Sequence, residues 1–161
     1  MSRAFVKEDG QAGVTALPDR PISPHPNLVT RRGLVLIERN LASFRQQLAA
    51  ATAAEDQEAM ARAARELRYW AARHATAELT EPPPDTETVL FGTAVTGVLP
   101  DGAEITYRIV GEDEADPMQG RIAWTAPVAR LLLGSAVGDT RRLPAGEIEI
   151  VAIDPRPEPA P

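Results

Sequence analysis

The chain contains no cysteine, which excludes disulfides, thiolate metal sites and a cysteine nucleophile together, and fits a reducing compartment. No apolar run approaches the roughly 18 residues of a membrane span. The opening "MSRAFVKEDGQAGV" lacks the apolar core of about 7 to 15 residues that a secretory signal needs. A cytoplasmic protein with no membrane partner is therefore expected. An excess of positive charge is also missing. The net charge is -6, so nucleic acid would not be wrapped wholesale unless basic residues were locally segregated.

Proline is absent from one long interval, and that gap organises the sequence. Of the 15 prolines, none lies between Asn27 and Glu81, and the only glycine there is Gly33. About fifty residues are thus free of strong helix breakers. Leu34, Ile37, Leu41, Phe44 and Leu48 recur at steps of 3 and 4, which sets one apolar stripe along a helix face. Met60, Ala64, Leu67, Ala71 and His74, flanked by Trp70, form a second series. A single straight helix would run for about 75 Å at 1.5 Å per residue and leave both stripes unpartnered. Folding at the alanine-rich middle lets the stripes bury each other as an antiparallel helical hairpin, with His74 packed at its base.

Beyond Pro82, Pro83 and Pro84 the apolar period changes. "TVLFGTAVTGVL" and "EITYRIV" read as strands joined by a turn at "PDG", residues 100–102. "GEDEADPMQG" reads as a loop. "APVARLLLG" reads as a short helix with Pro127 at its start and Gly134 at its end, and "GEIEIVAI" as a last half-buried strand. The expected fold class is α+β, with an antiparallel coiled-coil hairpin followed by an antiparallel sheet domain carrying one short helix. The expected boundaries are an extended proline-rich tail over 1–28, the hairpin over 29–80, a proline linker over 81–87, the sheet domain over 88–154 and a disordered tail over 155–161.

Charge is segregated along this hairpin. Arginines, among them Arg39, Arg45, Arg62, Arg65, Arg68 and Arg73, line the arms, while Glu55, Asp56 and Glu58 crowd the turn. Acids there have a structural use, since Asp56 is placed to cap the second helix and its neighbours favour that helix's dipole. Pairs such as Arg62 with Glu66 account for part of the basic set. Neither explains why the two signs separate along the axis. A basic stem with a carboxylate apex suits a passage lined by nucleic acid that ends at a hard cation, because Mg²⁺ takes one or two carboxylates with water and phosphate. Such an apex would complete a partner's two-metal centre and would not form a nuclease alone.

Residues 91–139, "FGTAVTGVLPDGAEITYRIVGEDEADPMQGRIAWTAPVARLLLGSAVGD", resemble the C-terminal domain of the bacterial transcript cleavage factors GreA and GreB. "YRIVGEDEAD", "APVARLLLG" and "VGD" carry the likeness, and "VTRRGLVLIERNL" at 29–41 is similar to the family's first helix. The resemblance implies an FKBP-like C-terminal domain that docks on RNA polymerase core at the rim of its secondary channel. It also implies a hairpin entering the channel to modulate elongation. The factor would be no enzyme itself, but an activator of the polymerase's intrinsic cleavage of backtracked RNA, touching the nascent RNA 3′ end only indirectly.

On this resemblance Trp124, Thr125, Ala126 and Pro127 are the polymerase-binding loop, and Arg39, Arg45, Arg62 and Arg65 face RNA. Glu55, Asp56 and Glu58 stand where the family's tip acids act, with Glu55 and Asp56 as Mg²⁺ ligands inside the polymerase. No cofactor of its own is implied, only the polymerase's Mg²⁺, and a monomer is expected. Four departures bear on this. The tip reads "EDQEAM" rather than D-x-x-E-N-A, Ala126 replaces Ser, Ser135 replaces Lys, and the arm from Leu34 to Ala53 is about 30 Å, several turns shorter than in the family.

The alternative is a regulator that docks and occludes the channel without cleavage. A prolyl isomerase would need an aromatic pocket built from Phe91, Tyr107 and Trp124, and a coiled-coil adaptor would not bind core polymerase at all. The proline-rich "LPDRPISPHPN" is read as a second polymerase contact or a tether.

Overall fold

The computed structural model describes residues 16–161; the first half of the expected N-terminal tail, and with it the segment read for a secretory signal, lies outside the described residues. Strand β1 (Leu28–Val29) leads into helix α1 (Arg31–Ala53) and, after a tight turn, helix α2 (Gln57–Ala75). Strand β2 (Glu78–Leu79) pairs with β1 in parallel and closes the base of the hairpin. Thr30 caps α1 by accepting a hydrogen bond from the Gly33 amide at 2.9 Å, and Asp56 caps α2 by accepting from Ala59 at 2.9 Å. At 1.5 Å per residue the arms are about 35 and 29 Å long.

The second domain is a five-stranded sheet of order β5-β4-β3-β7-β6. Its strands are β3 (Ala94–Val98), β4 (Glu104–Val110), β5 (Arg121–Ala123), β6 (Thr140–Leu143) and β7 (Gly146–Asp154), with α3 (Pro127–Leu132) inserted before β6. Val95, Ile109, Ile122, Leu132, Ile148 and Ile150 form the core, each less than a tenth exposed. Val95, Ile109 and Ile122 come from β3, β4 and β5, Ile148 and Ile150 from alternating positions of β7, and Leu132 from α3, as a half-buried sheet requires.

Three expectations are corrected by these features. The sheet is mixed rather than antiparallel, because β5 pairs parallel to β4. Residues 111–120 between them contain two single 3-10 turns, Glu112–Glu114 and Pro117–Gln119, compact enough to return the chain in the same direction. The long first strand read from residue 88 begins only at Ala94, since Phe91 and Gly92 form a turn. Finally, 155–161 is not a free tail. Arg121 donates two hydrogen bonds to Glu158, at 2.9 and 3.2 Å, and Arg108 donates to the Arg156 carbonyl at 2.9 Å.

The helical stripes also differ in phase. Ile37 and Leu41 are buried in α1 as expected, but in α2 the buried positions are Ala63 and Arg73. His74, expected to pack at the base, is 45% exposed and lies 3.9 Å from Glu38. The inner face of α2 therefore begins one residue earlier than the apolar series implied, and it accommodates an arginine.

Candidate functional site

The turn at the hairpin apex is built by Ala54, Glu55 and Asp56. The Asp56 amide donates to the Ala51 carbonyl at 3.0 Å, and Glu55 has a left-handed backbone with φ of 54°. Such a residue after a helix is usually glycine, which lacks the Cβ that crowds this conformation. The three carboxylates have separate employments. Asp56 spends one oxygen on the cap, Glu58 pairs with Arg62 one turn along, and Glu55 has no ion-pair partner among the described residues. All three side chains are on exposed residues at the far end of the hairpin.

Toward Mg²⁺, which accepts one or two carboxylates in an otherwise hydrated shell, the apex offers Glu55 and the Asp56 oxygen not used in the cap. Among the described residues no cluster of three acidic or histidine side chains could hold a metal ion.

Of the arginines expected to face RNA, Arg39 and Arg45 are exposed on α1 and have no ion-pair partner among the described residues. Arg62 is held by Glu58. Arg65 donates to the Pro18 carbonyl at 2.7 Å and lies 3.7 Å from Glu66. The structure thus separates the four, leaving the α1 pair open and occupying the α2 pair.

Arg73, grouped by sequence with the solvated stem, is 2% exposed. Its Nε donates to Asp113 Oδ2 at 2.5 Å and its Nη2 lies 3.7 Å from Glu112. Tyr69 donates its hydroxyl to the other Asp113 oxygen at 2.5 Å. Burial, reinforced by that hydrogen bond, pushes the Tyr69 phenol up to about 12. Beside this group, Glu114 Oε2 accepts from Thr30 at 2.5 Å, and Arg32 lies 3.7 Å from its other oxygen. Burial holds the Glu114 carboxyl above its ordinary range, with Thr30 and Arg32 pulling the other way.

Two close approaches permit this joint. A Cβ on Gly33 would stand 2.8 Å from Glu114 Oε2, and one on Gly111 would stand 2.6 Å from the Leu28 carbonyl. Glu112, Asp113 and Glu114 therefore fix the hairpin to the sheet domain. Sequence reasoning missed this use, although three acids beside a strand were a signal that buried cations must come from elsewhere.

The expected docking loop lies next to the joint. Thr125 donates to Glu112 Oε1 at 3.2 Å. The His25 ring meets Trp124 edge-on, with centroids 5.8 Å apart. Ala126 occupies the N-cap of α3 without a side-chain hydrogen bond, and Pro127 is the first helical residue and is exposed. Phe91 is 8% exposed within the core, so it fills space that an aromatic ligand pocket would need open.

Comparison with known proteins matches residues 84–155 to the family described as "Transcription elongation factor, GreA/GreB, C-term". The chain is 49% identical over 72 residues to transcription elongation factor GreA of Geobacillus kaustophilus, covering 42% of this chain and 46% of that protein. It is 43% identical over 89 residues to the GreA of an Anaeromyxobacter species, covering 52% and 51%. The chain thus spans about half the length of the curated relatives it matches. Among solved structures, GreA factor homolog 1 of Thermus thermophilus aligns over 80% of this chain and 99% of that one, at 23% identity and a TM-score of 0.38. The acids of "YRIVGEDEAD", the loop at 124–127 and the core of the sheet all fall within residues 84–155, the part of the chain that matches the C-terminal domain of the GreA/GreB transcription elongation factors.

Proposed function

We propose that this protein docks on RNA polymerase through the 124–127 loop and inserts its hairpin into the secondary channel, modulating elongation. The observation that carries this reading is the exposed acidic apex at the end of a hairpin whose base is locked to a GreA/GreB C-terminal domain. The lock matters because a tip can be delivered to a fixed point only by a rigid stem, and a buried ion-paired joint resists swivelling.

In this reading Glu55 and the free Asp56 oxygen would help hold a Mg²⁺ of the polymerase, whose chemistry when bound is to activate the water that cleaves backtracked RNA. The chain's own residues supply placement: Asp56 fixes the turn, Glu55 projects from it, and Arg39 and Arg45 offer open guanidinium groups toward phosphates.

The test uses stalled, backtracked elongation complexes with end-labelled RNA. Factor-dependent shortening is expected from the unaltered chain, with loss of at least about tenfold in rate in Glu55→Ala with Asp56→Asn, since one supporting electrostatic contact typically contributes that much or more. Asparagine is chosen because it retains the cap.

A second reading has its own observation. Two of the three apex carboxylates are already engaged within the chain, and the α1 arm is only about 35 Å long. A hairpin that stops short of the active centre would occlude the channel or compete with longer factors. In that case binding to core polymerase persists while RNA shortening is absent from the unaltered protein.

A further inference from the structure

The residues preceding the hairpin lie along α2 and engage its basic face. Arg68, one turn from Arg65, donates its Nε to Asp19 Oδ1 at 2.6 Å, and its Nη2 lies 3.5 Å from the Leu17 carbonyl. Arg65 donates to the Pro18 carbonyl at 2.7 Å. Two guanidinium groups on one face of a helix are thus met by a carboxylate and main-chain carbonyls. These oxygens occupy guanidinium donors that the phosphate oxygens of a nucleic acid backbone could otherwise accept from. The strap is anchored just beyond. Arg20 donates to Glu66 at 2.6 Å and stacks 3.6 Å over the Tyr69 ring, Ser23 donates to Glu112 at 3.0 Å, and buried Asn27 donates to the Arg73 carbonyl at 2.7 Å.

We infer that Leu17–Asp19 act as an intramolecular mask over a second phosphate-binding surface formed by Arg65 and Arg68, displaced when single-stranded RNA binds along α2. The inference rests on the stem of the proposed function lying near RNA, but concerns a face of the hairpin which that reading leaves unregulated.

Two features favour a mask over a permanent part of the core. Among the covering residues Leu17 alone has a large aliphatic side chain, and it is 37% exposed, while the bonds made to Arg65 and Arg68 are polar. The hold is therefore made by polar contacts at the surface, which are individually weak and screened by salt. Its effect is also selective, since Arg39 and Arg45 on α1 stay open while Arg65 and Arg68 on α2, their side chains still 35% and 49% exposed, have donors engaged by residues 17–19. Occupying only one face makes RNA affinity depend on whether the strap is seated.

The experiment measures binding of a fluorescein-labelled oligouridine to the full chain by anisotropy across a salt series, without polymerase. Asp19→Ala with Arg20→Ala releases one covering carboxylate and one anchor while leaving net charge unchanged. Unmasking two arginines should steepen the slope of log K against log salt by about 1.4, and tighten binding at low salt by about tenfold.

The same pair of changes made together with Arg65→Ala and Arg68→Ala should give no gain. An unchanged slope and affinity overturns the inference, as does a gain that persists without Arg65 and Arg68. Should the double variant fail to fold by circular dichroism, Asp19→Ala alone is read, with an expected slope change of about 0.7 and no change counting against the mask. Co-purification with core polymerase is scored separately, so loss of docking with intact RNA unmasking refutes only the proposed function, and the reverse result refutes only the mask.

Discussion

Two acidic triplets, Glu55, Asp56 and Glu58 at the apex of the hairpin and Glu112, Asp113 and Glu114 at its base, have similar composition and opposite surroundings. At the base, Glu114 is 5% exposed and Asp113 is shared between Arg73 and Tyr69. Every carboxylate there faces a cation or a hydroxyl from the hairpin. At the apex the acids lie on exposed residues and Glu55 is paired with nothing described. Water already solvates an exposed carboxylate, so it contributes little to folding and is free to meet a ligand. A buried one must be matched, and its partner becomes indispensable. What distinguishes a structural acid from a functional one is therefore the supply of partners within the fold.

The largest expected effect follows from breaking the base. Arg73→Ala leaves Asp113 and Glu112 without their buried cation, and removal of one partner from such a pair costs about 3–5 kcal/mol. Urea unfolding should show that loss. Replacing all three apex acids by their amides should leave the unfolding midpoint nearly unchanged. Comparable losses at both ends would contradict the division of roles.

Tyr69 gives the same contrast a pH signature. Its folded pKa of about 12 lies above the ordinary 10, so the stability linked to its neutral hydroxyl is fully present below pH 10. It is lost as pH rises toward about 12. A phenolate absorbance titration should show one late component, removed by Tyr69→Phe, which should also flatten the alkaline fall in stability. No apex substitution should alter that profile.

The hairpin was legible because its signal is local: a proline-free interval, two apolar series and an acidic cap. The turn at Asp56 and the helix begun by Pro127 followed from the same short-range rules. What escaped was held by long-range polar contacts. Arg73 lies on the inner face with Ala63, but an arginine interrupts an apolar count and shifts the apparent phase toward His74. The strap at 17–19 and the docking of Glu158 are likewise pairings between residues far apart in sequence, which no periodicity records. The parallel β4–β5 pair depended on how tightly residues 111–120 could coil. At the site, the position of the apex was readable and the employment of its acids was not, because Glu58 looked equivalent to Glu55 until Arg62 was seen to hold it.

A smaller effect separates capping from charge at the apex. Asp56→Ala removes the acceptor for the Ala59 amide and should cost about 1 kcal/mol. Asp56→Asn should cost much less, since the amide oxygen still accepts. If both variants lost equal stability in urea, the contribution of Asp56 would be its charge near the helix dipole rather than its hydrogen bond.

The smallest effect is the most informative about Glu55. A left-handed backbone costs a residue with a Cβ about 1–2 kcal/mol, while glycine loses about 0.5–1 kcal/mol through its greater freedom in the unfolded chain. Glu55→Gly should therefore stabilise the hairpin by roughly 0.5–1 kcal/mol. Glu55→Ala, which keeps the Cβ and removes only the carboxylate, should change stability little. A chain that gains stability from glycine yet loses RNA shortening in both variants would tie this carboxylate to function at a measurable structural cost. Equal stability of the glycine and alanine variants would mean that the turn relaxes without strain, and its conformation would then offer no support for a role of Glu55.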